Sequence, residues 1–136
     1  MDFLKFSLSG LDDFAIYAAL SIAFVYVYLI IYMRLTPYDE LKLIKEGNSA
    51  AALSLGGSLL GFTFPLAAAI EHSVNVVDML IWALIALVVQ LVVYVLVRRT
   101  LINVSRRIPE GQVASGIVLA AVSVSAGLLN AACMTY

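Results

Sequence analysis

The sequence predicts an all-α membrane protein with four transmembrane helices, arranged as two helical hairpins that repeat in parallel. Three observations predict this fold. The chain has four long apolar segments, seven of its eight basic residues lie in two of the connections, and its two halves resemble each other. We expect the 136 residues to form a single transmembrane domain.

The composition favours lipid over water as the solvent. Apolar residues make up 63% of the chain and charged residues 12%, with a mean hydropathy of +1.03. A soluble domain carries about 25% charged residues. The net charge of -1 argues against a nucleic-acid partner, which requires a basic surface. The single cysteine, Cys133, excludes an intrachain disulfide and a multi-cysteine metal site.

Four segments are long enough to cross the bilayer: residues 14–33, 50–70, 79–97 and 113–134. A crossing helix needs about 20 apolar residues. None of the four contains Lys, Arg, Asp or Glu, as expected when a charge at mid-bilayer costs about 2.5–3.5 kcal/mol. This absence also argues against proton-coupled or cation-coupled transport.

The basic residues predict the orientation. Seven of the eight Lys and Arg residues lie between the first and second spans or between the third and fourth, and Lys5 is the exception. The positive-inside rule places these connections in the cytoplasm. The chain is then a multi-pass membrane protein with both termini and the connection 71–78 outside the cytoplasm.

A short amphipathic helix is predicted over residues 37–46, lying along the cytoplasmic membrane surface. Thr36 precedes it as the N-cap, Pro37 takes the first helical position, and Gly47 ends it.

The chain also resembles itself at an offset of 64 residues. Ile-Lys-Glu-Gly-Asn at 44–48 aligns with Ile-Pro-Glu-Gly-Gln at 108–112, and Arg34 aligns with Arg98. We infer two copies of one hairpin, residues 14–70 and 79–134. Each copy has an even number of spans, so both have the same orientation, with a pseudo-twofold axis along the membrane normal.

The repeated Glu-Gly turn has two interpretations. Its residues either cap the spans that follow, where a helix N-terminus favours a carboxylate and an Asn cap, or form a docking or gating site at the cytoplasmic face. The residues are Glu46, Gly47, Asn48, Glu110 and Gly111.

Small residues recur at helical spacing in the second and fourth spans. They let helix backbones approach closely, either within the chain or between subunits. Because two helices carry such a face, we expect a homo-oligomer. The predicted packing or interface residues are Gly57, Gly61, Gly116, Ala120, Ser123 and Gly127.

Polar side chains inside the spans require partners. In span one they form a stripe that should face protein or water, made of Tyr17, Ser21, Phe24, Tyr28 and Tyr32. Tyr28, Gln90 and Asn130 are candidates for a polar network between helices or, alternatively, for the lining of a pore.

Several of these motifs together resemble the YjfL family of small bacterial inner-membrane proteins, whose domain has no known function. They are the Glu-Gly-Asn stretch at 46–48, the glycine run Gly56-Gly57-x-x-x-Gly61, Pro65, and the C-terminal residues 130–136. The resemblance covers nearly the whole chain and implies a four-helix inner-membrane protein. It implies no catalytic residues.

No motif for catalysis, a cofactor or a metal occurs, so an enzyme is disfavoured. Glu71, His72 and Asp78 in the outer connection are more typical of a solvated turn than of a metal site. We therefore expect a non-enzymatic oligomeric module, with the bilayer and a cytoplasmic or membrane protein as partners. Envelope maintenance or stress response is the role that the resemblance implies for it. The alternative is a passive channel or small transporter with a pore lined by polar residues.

Overall fold

The computed structural model describes residues 2–100 and 104–134, which form helices and no strand. The helices are α1 (Asp2–Leu8), α2 (Leu11–Leu35), α3 (Glu40–Lys45), α4 (Ser49–His72), α5 (Val76–Thr100), α6 (Val104–Arg107) and α7 (Val113–Cys133). Of these, α2, α4, α5 and α7 are long and apolar enough to cross a membrane. The predicted all-α, four-span architecture is confirmed.

Three spanning helices run beyond the predicted apolar segments at both ends. At the starts of α4 and α5, polar caps lie outside the apolar run. Asn48 accepts a hydrogen bond from the backbone N–H of Ala51 at 3.0 Å, so α4 begins at Ser49. Asn75 accepts one from the N–H of Asp78 at 2.9 Å at the start of α5. Such caps satisfy helix N–H groups that have no partner within the helix.

The helix predicted over residues 37–46 is shorter, and its predicted cap was wrong. Thr36 ends α2 instead, since its N–H donates to the carbonyl of Tyr32 at 3.1 Å. Thr36 has extended backbone geometry, which is the preference of a residue that precedes proline. The cap of α3 is Asp39, whose carboxylate accepts from the N–H of Lys42 at 3.2 Å.

Two turns with the same hydrogen bonds precede α4 and α7. Gly47 and Gly111 both have positive φ, 87° and 79°, and their N–H groups donate to the carbonyls of Ile44 and Ile108. The next residue in each turn bonds back to Leu43 or Arg107. The turns are therefore alike at the offset of 64, while the duplication of the whole hairpin stays a prediction.

Helix α4 lies at the centre of the bundle and packs most closely on α7. Along the pair, Ala50 faces Gly116, Gly57 faces Ala120, and Gly61 faces Ser123 and Gly127. These contacts ascend in both helices, so α4 and α7 run parallel. Asn48 also donates to the carbonyl of Ile108 at 2.9 Å, which joins the two Glu-Gly turns at one end of the bundle. We call this end the basic end, because it carries Arg34, Lys42, Lys45, Arg98, Arg99, Arg106 and Arg107.

The outer surface of the spans is apolar and open. Ile22, Leu96 and Leu129 have exposed fractions of 71%, 56% and 69%. Contiguous apolar surface on this scale is stable only where lipid or protein covers it, so the bilayer is the medium that this bundle requires.

Substitution of Gly61 tests the packing of α4 on α7. A Cβ atom at Gly61 would overlap the carbonyl oxygen of Ser123 and lie 2.6 Å from Nε2 of Gln90. Gly61→Ala should lower the free energy of unfolding in mixed micelles by about 1–3 kcal/mol, as overpacking does. Gly56→Ala is the matched control on the same helix, since its Cβ would meet nothing within 4 Å. Equal effects of the two changes would contradict the packing.

Candidate buried polar site at the basic end

A column of aromatic rings fills the space between α2, α4 and α5. Tyr28 stacks on Phe62 with ring centroids 4.6 Å apart, and Tyr32 lies 4.5 Å from Tyr94. Tyr28 and Tyr32 are one helical turn apart on α2, so both point to the same side, and their rings are 6.2 Å apart. All four side chains are almost fully buried.

At the basic end this column meets a buried carboxyl group. Glu40, the first residue of α3, is only 2% exposed. Its Oε1 accepts a hydrogen bond from the hydroxyl of Tyr32 at 3.2 Å, and that hydroxyl lies 2.7 Å from the hydroxyl of Ser54 on α4. Its Oε2 has no hydrogen-bond partner among the described residues. A buried charge usually has several partners, so this carboxyl is an unusual feature of the fold.

The guanidinium of Arg98 on α5 belongs to the same cluster. It donates to the hydroxyls of Tyr94 and Tyr38, the latter at 3.3 Å. Its Cζ lies 5.0 Å and 5.4 Å from the ring centroids of these two tyrosines, within cation–π range. We call Tyr32, Tyr38, Glu40, Ser54, Tyr94 and Arg98 the Glu40 cluster.

Burial controls the ionisation of this cluster. It raises the pKa of the Glu40 carboxyl from 4.5 to about 7, although the Tyr32 hydrogen bond and the Arg98 charge act to lower that pKa. Burial likewise raises the pKa of the Tyr38 phenol, with the Glu40 charge adding to the shift. Near neutral pH, the Glu40 carboxyl therefore exchanges between its protonated and ionised forms.

A second polar contact crosses the middle of the bundle. Gln90 on α5 is 1% exposed and donates from Nε2 to the carbonyl of Ser123 on α7 at 2.9 Å. The hydroxyls of Ser123 and Ser58 on α4 are 3.5 Å apart. Such contacts hold helices together where the hydrophobic effect is absent.

The structure brings the six predicted packing residues together. Gly57, Gly61, Gly116, Ala120, Ser123 and Gly127 all lie in the interface between α4 and α7 of one chain. The backbones approach so closely there that a Cβ atom on any of the four glycines would overlap the facing helix.

The five residues of the Glu-Gly turns differ in burial and in contacts. Asn48 uses its side chain to cap α4 and to bind the carbonyl of Ile108. The other four, Glu46, Gly47, Glu110 and Gly111, are exposed at the basic end. Glu110 pairs with Arg106 at 3.2 Å, one helical turn away, in an exposed contact that contributes little stability.

The three predicted polar-network residues lie apart. Tyr28 belongs to the aromatic column, Gln90 binds α7, and Asn130 is half-buried near the opposite end of α7. Nδ2 of Asn130 has no hydrogen-bond partner within the described part of the chain.

The connection between α4 and α5 forms a capped turn. Asn75 and Asp78 bond to backbone N–H groups at the start of α5. Across residues 2–100 and 104–134, no three His, Cys, Asp or Glu side chains are grouped so as to hold a metal ion.

Sequence reasoning missed Glu40, Ser54, Tyr94 and Arg98 as parts of one cluster. A signal was present in the alignment of the two halves, in which polar residues of the first half align with apolar residues of the second. At the offset of 64, Tyr28, Tyr32, Glu40, Ser54 and Ser58 align with Val92, Leu96, Val104, Val118 and Val122. The buried carboxyl and its two hydroxyl partners therefore belong to the first hairpin, whereas Tyr94 and Arg98 of the cluster come from the second.

Comparison with known proteins places this architecture in a family. Residues 6–134 match the model of the family described as DUF350, a domain of unknown function. The chain belongs to the DUF350 family.

The inner membrane protein YjfL of Escherichia coli strain K12, described as UPF0719, is 38% identical over 129 residues. These residues cover 95% of this chain and 98% of YjfL. YjfL of Escherichia coli O157:H7 matches to the same extent, and no solved structure matches. The similarity to the YjfL family is thus confirmed, and this DUF350 protein is a multi-pass protein of the inner membrane.

Removal of the Tyr32 hydroxyl tests the Glu40 cluster. Tyr32→Phe deprives Oε1 of Glu40 and the Ser54 hydroxyl of a shared buried partner, so unfolding in mixed micelles should become easier by about 1–3 kcal/mol. Tyr26→Phe is the control on the same helix, since Tyr26 is 65% exposed. If both variants unfolded like the unmodified protein, the hydrogen bonds would be of no consequence.

Proposed function

We propose that this DUF350 protein is a non-enzymatic membrane module that assembles into a homo-oligomer and serves envelope maintenance or stress response. The basic end faces the cytoplasm in this proposal, with both termini outside. The positive-inside rule supports that orientation, because the basic end holds seven of the eight Lys and Arg residues.

A groove on the lipid-facing side of α4 and α7 carries the proposal. Its volume is about 510 Å³, its walls are apolar, and half of the lining residues are glycine or alanine. The lining residues are Leu53, Gly56, Gly57, Leu60, Ile117, Ala120, Ala121 and Val124. A Cβ atom at Gly56 would meet open space, so this face is not filled by the chain's own packing.

A helix of a second copy suits this groove better than lipid does. Transmembrane helices associate through close van der Waals packing on small residues, and flexible acyl chains lose entropy when they fill a narrow groove. Exposed leucines on α7, such as Leu128 and Leu129 at 50% and 69%, are side chains of the size that such a groove accepts.

The interior of the bundle weighs against the passive channel as the function of a single chain. Stacked rings of Tyr28, Phe62, Tyr32 and Tyr94 occupy the space between α2, α4 and α5. Water crossing there would have to displace these rings from their packing. A helix-packing module requires no such rearrangement.

The exposed basic end supports recruitment of a cytoplasmic or membrane partner. Arg99, Arg106 and Arg107 are exposed there together with Glu46 and Glu110. Positive charges at such a position attract anionic lipid headgroups and acidic protein surfaces alike.

Filling the groove should disrupt assembly. Ala121→Leu adds a bulky side chain to the α4–α7 groove, whereas Ala67→Leu does so in a separate groove of about 380 Å³ between α2 and α4. Mass measurement in lipid nanodiscs should find oligomers for the unmodified protein and Ala67→Leu, and mainly monomers for Ala121→Leu. Monomers for the unmodified protein would contradict the proposal, as would oligomers of unchanged size for Ala121→Leu.

A further inference from the structure

We propose that Glu40 is a proton-binding site whose occupancy decides whether α3 stays packed against α4. This inference does not rest on oligomer assembly, because every group that it invokes belongs to one chain.

The position of Glu40 in the fold supports this role. Helix α3 has only six residues, and it packs on the core through partly buried Leu43 and Ile44. A helix this short is not stable alone, because nucleation costs more than one turn returns. Its order therefore depends on these apolar contacts and on the state of the carboxyl buried at its first residue.

The hydrogen bonds of Glu40 fit a carboxylic acid better than a carboxylate. An ionised carboxylate has about four acceptor sites, whereas Glu40 receives a hydrogen bond at Oε1 from Tyr32 at 3.2 Å. Oε2 is buried without a hydrogen-bond partner. A proton on the carboxyl removes the charge that burial disfavours. This protonation requires no movement of α2 or α4.

The groups that face Glu40 come from four other parts of the chain. Helix α2 contributes Tyr32 and, further away, Tyr28, and the link before α3 contributes Tyr38. Helix α5 contributes Tyr94 and the cation Arg98, and α4 contributes the uncharged Ser54. On α3 itself, Lys42 and Lys45 are exposed. Since tyrosine and arginine ordinarily titrate at about pH 10 and above, Glu40 is the member that changes charge near neutral pH.

The direction of the pH effect follows from burial. When α3 is packed, the pKa of Glu40 is raised to about 7; when α3 is released, the carboxyl returns to water and to its ordinary 4.5. The packed state is thus favoured most below pH 4.5, and this advantage is lost as the pH rises towards 7. Above that pH, packing α3 requires burial of a charged carboxylate.

Hydrogen exchange of the α3 backbone measures this release. Exchange of the backbone amides of residues 42–46 is to be measured at about pH 5 and about pH 8 and corrected for the intrinsic rate. We expect at least about tenfold less protection at the higher pH. Glu40→Gln, an uncharged mimic of the acid, should keep its protection at both values. Glu46→Gln removes an exposed carboxylate at the other end of α3 and should keep the pH dependence.

Equal protection of the unmodified protein at both pH values would overturn the proposal, as would an unchanged pH dependence in Glu40→Gln. Infrared spectroscopy provides a test that does not depend on folding of the variant. In the unmodified protein, the C=O stretch of a protonated carboxyl should disappear as the pH passes about 7. If every carboxyl is already ionised at about pH 6, well above the ordinary range, the proposal is wrong.

Discussion

The close approach of α4 to α7 is the contact on which the rest of the bundle depends. Gly57, Gly61, Gly116 and Gly127 bring the two backbones together where any Cβ atom would overlap the facing helix. In lipid, burying apolar surface gains little, so packing of this kind and hydrogen bonds must hold helices together. Helix α4 also directs Ser54 and Phe62 towards Tyr32 and Tyr28 of α2, and Ser58 towards Ser123 of α7.

The two halves of the chain share the same turn but differ in the side chains that they bury. Each half enters its second span through a glycine of positive φ, and the side chain of Asn48 joins the two turns. Only the first half adds a buried carboxyl and its hydroxyl partners, since their positions in the second half hold valine or leucine.

The length of the apolar segments and the absence of charged residues inside them predict the four spans, because a charged side chain is costly in lipid. The spacing of the small residues likewise predicted a close-packing face on α4 and on α7. The helix predicted over 37–46 begins later, because Asp39 caps α3 while the Thr36 hydroxyl donates to the carbonyl of Met33 at the end of α2. The Glu40 cluster was missed for another reason. Its members come from α2, the link before α3, α3, α4 and α5. No pattern within one segment predicts that Glu40, which lies in a polar connection, is buried beside the Tyr32 hydroxyl.

Cysteine cross-linking at Ser58 and Ser123 tests most directly whether α4 and α7 of one chain form the central seam. Their hydroxyls lie 3.5 Å apart, and serine to cysteine is nearly isosteric. In a Cys133→Ser background, mild oxidation of the pair in membranes should give a disulfide within one chain, while a Ser58 and Ser125 pair should stay reduced because Ser125 is exposed. Cross-linked dimers in place of the intrachain product, or no reaction at all, would contradict the seam.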